Sequence, residues 1–175
     1  MTNIRDIVMS KRYVLCTGNP DKNTIASGIR QVFPNTTFIH KSNGYNLEDM
    51  SEQDILQVKE CMKKHNCFIN ASYISPNTQL TLLNLYFESV KMGEVFNVGS
   101  THEYDNLGGE EYKKSKLTLR NRSLELNNYR INTTHVIVGT INLITPVCIA
   151  NIILWITQQD IKIPIIGIDQ EKGAW

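Results

Sequence analysis

Hydrophobic residues in this chain gather into short runs separated by stretches with helical spacing. Tyr13 to Cys16 is an apolar run ending in Thr17-Gly18. A polar loop follows, and then Ile25, Ile29, Val32 and Phe33 recur at the interval of one helix face. Thr37 to His40 reads as a second strand. Ser51-x-x-Asp54 has the form of a capping box, opening a helix with Ile55, Val58 and Met62 on one side. Cys67 to Ala71 is the next strand, and a helix after Pro76 carries Leu80, Leu83, Phe87 and Val90. A strand at Val95 to Val98, a long polar helix from Glu110 to about Asn128, a strand at Val136, a helix after Pro146 and a strand from Ile163 to Ile168 complete the series.

Strands and helices alternate throughout, with no internal repeat and no low-complexity linker. Each parallel connection needs a crossover, so this alternation predicts an α/β fold: a parallel, doubly wound sheet of about six strands in three layers. In such sheets ligands bind at the carboxyl ends of the strands, where the strand order reverses. The polar or small residues that follow Cys16, Ala71, Val98 and Val138 are therefore where chemistry is expected.

The uncharged run from Val136 to Thr157 is long enough on count to span a bilayer. It contains Gly139, Asn142, Thr145, Pro146 and Asn151 and lacks a flanking basic cluster, which favours a different division. Val136 to Val138 suits a strand buried on both faces, and Thr145-Pro146 is an N-cap followed by proline at the first helical position.

A length of 175 residues fits one domain, residues 1–175, with an N-terminal tail over 1–12. The net charge of +1 leaves no sequence-wide electrostatic footprint for nucleic acid or anionic lipid, so neither is an expected partner. Cys16, Cys61, Cys67 and Cys148 are scattered, and the start MTNIRDIVMSKRYV has no apolar signal core. A reduced, cytoplasmic setting is the expectation. Cys61-x3-His65-x-Cys67 offers three metal-ligand types but lacks the paired C-x2-C spacing of structural zinc sites. A helix end running into a buried strand explains it better, and no metal is expected. The glycosylation sequons at Asn35, Asn70, Asn121 and Asn132 are those an Asn-rich chain contains by chance.

Four segments carry candidate chemistry. Thr17-Gly18 and the loop Asn19 to Thr24 lead into Thr24-Ile25-Ala26-Ser27-Gly28-Ile29, a turn suited to bringing a helix N-terminus to a phosphate. Phe68-Ile69-Asn70-Ala71-Ser72 ends the third strand, and Asn77 stands before the next helix, where capping is the plain alternative. Val98-Gly99-Ser100 is followed twelve positions later by Tyr112-Lys113-Lys114-Ser115-Lys116. Tyr112 and Lys116 are i and i+4, so both leave one helix face and reach one substrate, although a solvated charged helix would look similar. Val138-Gly139-Thr140-Ile141-Asn142-Leu143-Ile144-Thr145-Pro146 closes the set.

Taken together, these segments resemble the short-chain dehydrogenase/reductase family, from about Tyr13 to Pro146. The family's T-G-x-x-x-G-x-G keeps only its first glycine here, and the loop is more similar to that of the enoyl reductase branch. N-N-A-G keeps one asparagine, and the proline of P-G-x-[IV]-x-T is Val138. The resemblance implies a Rossmann-type fold and an NAD(P)(H)-dependent oxidoreductase acting on a small-molecule carbonyl or alcohol. Tyr112 would be the acid/base, Lys116 would favour its phenolate and hold the nicotinamide ribose, Ser100 would bind the carbonyl oxygen, and Asn77 would link Lys116 to a water. Gly18, Asn19, Thr24, Ile25, Asn46, Asn70, Ala71, Ile141 and Thr145, with Tyr112 and Lys116, would line the cofactor. His40-Lys41-Ser42 contains no acid, so NADP(H) is expected over NAD(H), with Lys41 as the contact or else an ordinary solvated lysine.

Two departures accompany the resemblance. Too few residues separate the second strand from Asn46-Leu47-Glu48-Asp49 for the family's next helix and strand, so one helix-strand unit is expected to be missing from the sheet edge. Only one helix fits between Pro146 and the last strand, which removes the substrate-binding insertion. The substrate pocket is then open, completed by a partner subunit, or lost, and an open face predicts self-association, as a homodimer or homotetramer, through the helices beginning near Asn77 and Glu110. The alternative function is a non-catalytic dinucleotide-binding or scaffolding protein derived from the same fold.

Overall fold

The computed structural model describes residues 12–104, 107–139, 144–159 and 162–168. Among them, six parallel strands form one sheet in the order β2-β1-β3-β4-β5-β6. The strands are β1 (Val14–Thr17), β2 (Thr37–Ile39), β3 (Cys67–Asn70), β4 (Gly93–Val98), β5 (Ile131–Val138) and β6 (Ile165–Ile168). The helices are α1 (Ile25–Val32), α2 (Glu52–Met62), α3 (Thr78–Ser89), α4 (Glu110–Leu126) and α5 (Pro146–Thr157).

Side chains alternate between two cores because a strand buried on both faces sends successive residues to opposite sides. Val14, Cys16, Ile69, Phe96, Val136 and Val138 pack under α1 and α5 with Ile29, Ile149, Ala150 and Ile153. Leu15, Phe68, Val95 and Ile131 pack on the other face with Val58, Met62, Leu82 and Leu119 from α2, α3 and α4. β2 is the outermost strand and pairs with β1, and only a short 3-10 turn, Lys41–Asn43, precedes the approach to α2. The sheet thus ends where one helix-strand unit was expected to be missing.

Several local expectations meet their physical causes. Ser51 caps α2 and shares a reciprocal capping box with Asp54. Thr145 accepts from the Cys148 N–H at 3.3 Å, with Pro146 opening α5. The uncharged run divides into the end of β5 and α5, and among the described residues no helix is long and apolar enough to cross a membrane. The Cys61–Cys67 segment is the end of α2 leading into β3. The His65 ring bonds the Cys61 carbonyl and the Thr37 hydroxyl, and the described residues contain no metal-binding group of His, Cys, Asp and Glu.

Strand starts shift by two residues at β4 and β6, and by more at β5. β5 begins at Ile131, five residues before the apolar run at Val136. Its first half, Ile131-Asn132-Thr133-Thr134-His135, is mostly polar yet buried, because α4 meets it with polar side chains. The Thr133 hydroxyl donates to the Ser123 carbonyl at 2.6 Å, and Ser123 Oγ accepts from Asn97 Nδ2 at 3.2 Å.

Candidate active site

The strand order reverses between β1 and β3, so the crevice begins at their carboxyl ends. Thr17 is fully buried there, and its hydroxyl accepts from the N–H groups of Ala71 and Ser72 at 2.8 and 2.9 Å. This clamp ties the Thr17-Gly18 turn to the end of β3. Gly18 has φ +119°, and a Cβ there would lie 2.7 Å from Ser72 Oγ and 3.2 Å from Ala26 Cβ. A side chain would be both strained and crowded, which is the physical reason for glycine.

Beyond Gly18 the loop folds on itself. Asn19 Oδ1 accepts from the Asp21 N–H, and its carbonyl accepts from the Thr24 hydroxyl. Thr24 gives α1 no side-chain cap, and no acidic residue occupies its first turn. Uncapped N–H groups and an unopposed dipole make this helix end suited to a phosphate. Ile25 is buried in the core, so only its backbone is available to a ligand. The turn, its crowded glycine and the bare helix end together fit a dinucleotide pyrophosphate. Lys41 and Asn46 are exposed beyond β2, which is joined to this turn by Gly18 N–H donating to the Ile39 carbonyl. The Asn46 side chain bonds Asp54, and with the stronger Ser51 bonds it holds that carboxyl below its usual value. Thr145 is exposed at the start of α5, and Ile141 lies outside the described residues.

The second half of the site is built on β4, α3 and α4. Tyr112, Lys116, Leu119 and Ser123 form one stripe of α4 at spacings of four, three and four, directed at the sheet. Ser100 ends the β4 turn, accepts from the His102 N–H at 3.2 Å, and hydrogen-bonds the Tyr112 hydroxyl. Tyr73 lies edge-on to Tyr112 with ring centroids 4.7 Å apart. Gly108 closes the other side, where a Cβ would come 2.7 Å from the Tyr112 ring.

Lys116 is 2% exposed. Its Nζ donates to Gln79 Oε1 at 2.6 Å and to the Val98 carbonyl at 3.0 Å, and it stands 5.4 Å from the ring centres of both Tyr73 and Tyr112. Burial lowers its pKa to about 8, while the Glu103 charge works in the opposite direction. Tyr112 is held above its ordinary value, chiefly by burial and further by Glu103, with the Ser100 bond opposing. The sequence led to the expectation of a phenol lowered by Lys116; the structure instead holds it above its ordinary value, through loss of solvent and a nearby carboxylate.

The Lys116 ammonium is met by Gln79, not by Asn77, which the sequence had suggested as its neighbour. Asn77 is exposed, makes no side-chain cap bond, and lines an outer groove with Leu80, Glu111 and Thr118. Gln79, two residues on, is buried and fixes three elements: its Nε2 donates to the Asn70 and Val98 carbonyls, and its Oε1 receives Lys116. Asn70 is itself fully buried, donating to the Gln79 carbonyl and to Asn97 Oδ1. Gln79 was visible in the sequence only as a polar residue one position before Leu80 on an apolar helix.

No family model and no curated protein matches the sequence. Solved structures do match. The chain is similar to serine dehydrogenase from Escherichia coli, with TM-score 0.66 and 14% identity over 89% of this chain and 96% of that one. It is similar to a short-chain dehydrogenase/reductase from Brucella ovis in complex with a partially ordered NAD, with TM-score 0.64 and 14% identity over 91% and 100%. A third is the angucycline C-6 ketoreductase LanV with bound NADP, with TM-score 0.66 and 12% identity over 89% and 93%. The chain has the short-chain dehydrogenase/reductase fold. Within that fold the carboxyl edge of the sheet brings together Gly18, Asn70, Ala71, Ser100, Tyr112 and Lys116 at the ends of β1, β3 and β4 and on the facing helix.

Proposed function

We propose that the chain is one NAD(P)-binding domain that reduces a small-molecule carbonyl, with Tyr112 as the proton donor. The observation that carries this reading is the Ser100–Tyr112 hydrogen bond at the end of β4, with Lys116 one helical turn further along α4. A nicotinamide dinucleotide supplies the hydride when bound. Ser100 and Tyr112 orient the carbonyl oxygen, and Tyr112 gives its proton to the oxygen as negative charge develops there. Burial and Glu103 keep the phenol protonated at neutral pH, which suits an acid and therefore the direction of reduction.

Lys116 has two N–H groups committed to Gln79 and Val98, so its third is the one left for a ribose hydroxyl. Gln79, rather than Asn77, would hold that ammonium. NADP(H) is preferred over NAD(H) in this reading because Lys41, and no acid, follows β2. A homodimer or homotetramer joined along α3 and α4 is the expected assembly.

A second reading, a dinucleotide-binding protein without turnover, is favoured by the anchoring of Lys116 on Gln79 and the Val98 carbonyl rather than on the phenol. Titration of NADPH and NADH fluorescence, followed by turnover with a panel of ketones and aldehydes, separates the two. The expected result is saturable binding and turnover that falls roughly 100-fold or more in Tyr112→Phe with cofactor affinity unchanged. Binding without turnover supports the second reading, and no saturable binding of either dinucleotide overturns both.

A further inference from the structure

Glu103 is the last residue of a short 3-10 turn, Thr101–Glu103, directly after β4. Its side chain has no solvent exposure. Oε1 accepts from His135 Nε2 at 2.7 Å and from the Ser100 backbone N–H at 3.1 Å, while Oε2 faces Arg120 Nη1 at 3.5 Å. Three donors on two oxygens describe an ionised carboxylate held at both ends. His135, also with no exposure, sits in mid-β5 opposite Asn97 and fixes the carboxylate to the sheet.

Gly99 records the same arrangement in the backbone. A Cβ at that position would lie 2.2 Å from Glu103 Oε1 and 2.3 Å from His135 Nε2. The pair therefore fills the space of the missing side chain, immediately before Ser100. The sequence expresses this as Gly99-Ser100-x-x-Glu103 with a histidine one strand away.

We infer that Glu103 is a positioning residue of this site: anchored by His135, it fixes the Ser100 turn against Tyr112 and applies its buried negative charge to both Tyr112 and Lys116. The inference rests on the assignment of Ser100, Tyr112 and Lys116 made above. The charge sums over few neighbours. Tyr112 is faced by Glu103 and His102 from the turn, Tyr73 from the loop after β3, and Lys116 on its own helix. Glu103 is faced by His135 from β5 and Arg120 from α4. Its carboxylate raises the pKa of the phenol and of the ammonium alike.

Glu103→Gln removes the charge and keeps an oxygen to accept from His135 and Ser100. Alkaline absorbance titration of the full chain, taken as the difference from Tyr112→Phe, isolates Tyr112 from the other tyrosines. The expected result is a Tyr112 midpoint lower by roughly one pH unit, with the pH profile of turnover moving in the same direction. Arg120→Met, at the partner that reaches solvent, leaves the buried pair in place and is expected to move the midpoint upward. An unchanged midpoint in folded Glu103→Gln, or in Arg120→Met where Glu103→Gln does not fold, overturns the inference. A wild-type chain without turnover counts against the reductase reading and leaves this titration intact.

Discussion

Lys116 is a cation kept where solvent cannot reach it, and its position has a measurable cost. The gap between the ordinary 10.5 and about 8 corresponds to about 3 kcal/mol. An unfolded Lys116 binds its proton up to pH 10.5, whereas the folded chain releases it near 8. Between those values the unfolded state binds more protons, so the folded state gains stability as pH rises through that window. Below pH 8 the full penalty applies. Tyr112 acts in the opposite sense only above pH 10, where its raised value makes the unfolded chain deprotonate first. Urea midpoints measured from pH 7.5 to 10 (chosen to stay below that limit) are expected to climb in the wild type relative to Lys116→Met, and parallel curves would show that the ammonium is not strained. Tyr112 and Lys116 were legible in the sequence because an i, i+4 pair is a local signal. Gln79 and the Glu103–His135 pair were not, because Gln79 meets Lys116, and His135 meets Glu103, from elements far apart in the chain.

Among the elements, the pairing of α1 with α5 depends most on one small residue. A Cβ at Gly28 would lie 2.2 Å from the Pro146 carbonyl oxygen and 2.7 Å from the Val147 nitrogen. These are backbone atoms at the start of α5, so relief requires the helices to separate over the core shared by Ile25, Ile29, Ile149 and Ile153. Gly28→Ala is expected to destabilise the fold by about 2 kcal/mol or more, read from urea midpoints. Ser27→Ala, which loses a local hydroxyl bond to the Thr24 carbonyl, should cost less than about 1 kcal/mol. An equal effect at both positions would mean that the close approach is not what glycine provides. The strands β1, β3 and β4 were legible because both their faces are apolar. The first half of β5 was not, since Thr133 and His135 are buried against polar groups of α4 and the turn after β4, and a polar strand of this kind has no hydrophobic period to detect.

At the scale of the whole molecule, the strand order determines which end of the dinucleotide proposed above would be left bare. With β2 outermost among the described residues, none of these provides a further strand to flank the end of the crevice that Gly18 and Ile39 share. In the NADP(H) reading proposed above, the 3-10 turn at Lys41–Asn43, with Lys41 as its cation, would face the ribose 2′ substituent. A charge-assisted contact to a 2′-phosphate is worth about 1.5 kcal/mol or more, which is roughly a tenfold change in affinity. Lys41→Glu is therefore expected to weaken NADPH by at least about tenfold, because it replaces that contact with repulsion, while NADH changes far less because its 2′-hydroxyl carries no charge. Fluorescence titrations of both dinucleotides at fixed salt measure the ratio directly. If the substitution weakens both equally, or neither, the cofactor's 2′ position lies away from this turn and the edge strand does not select it.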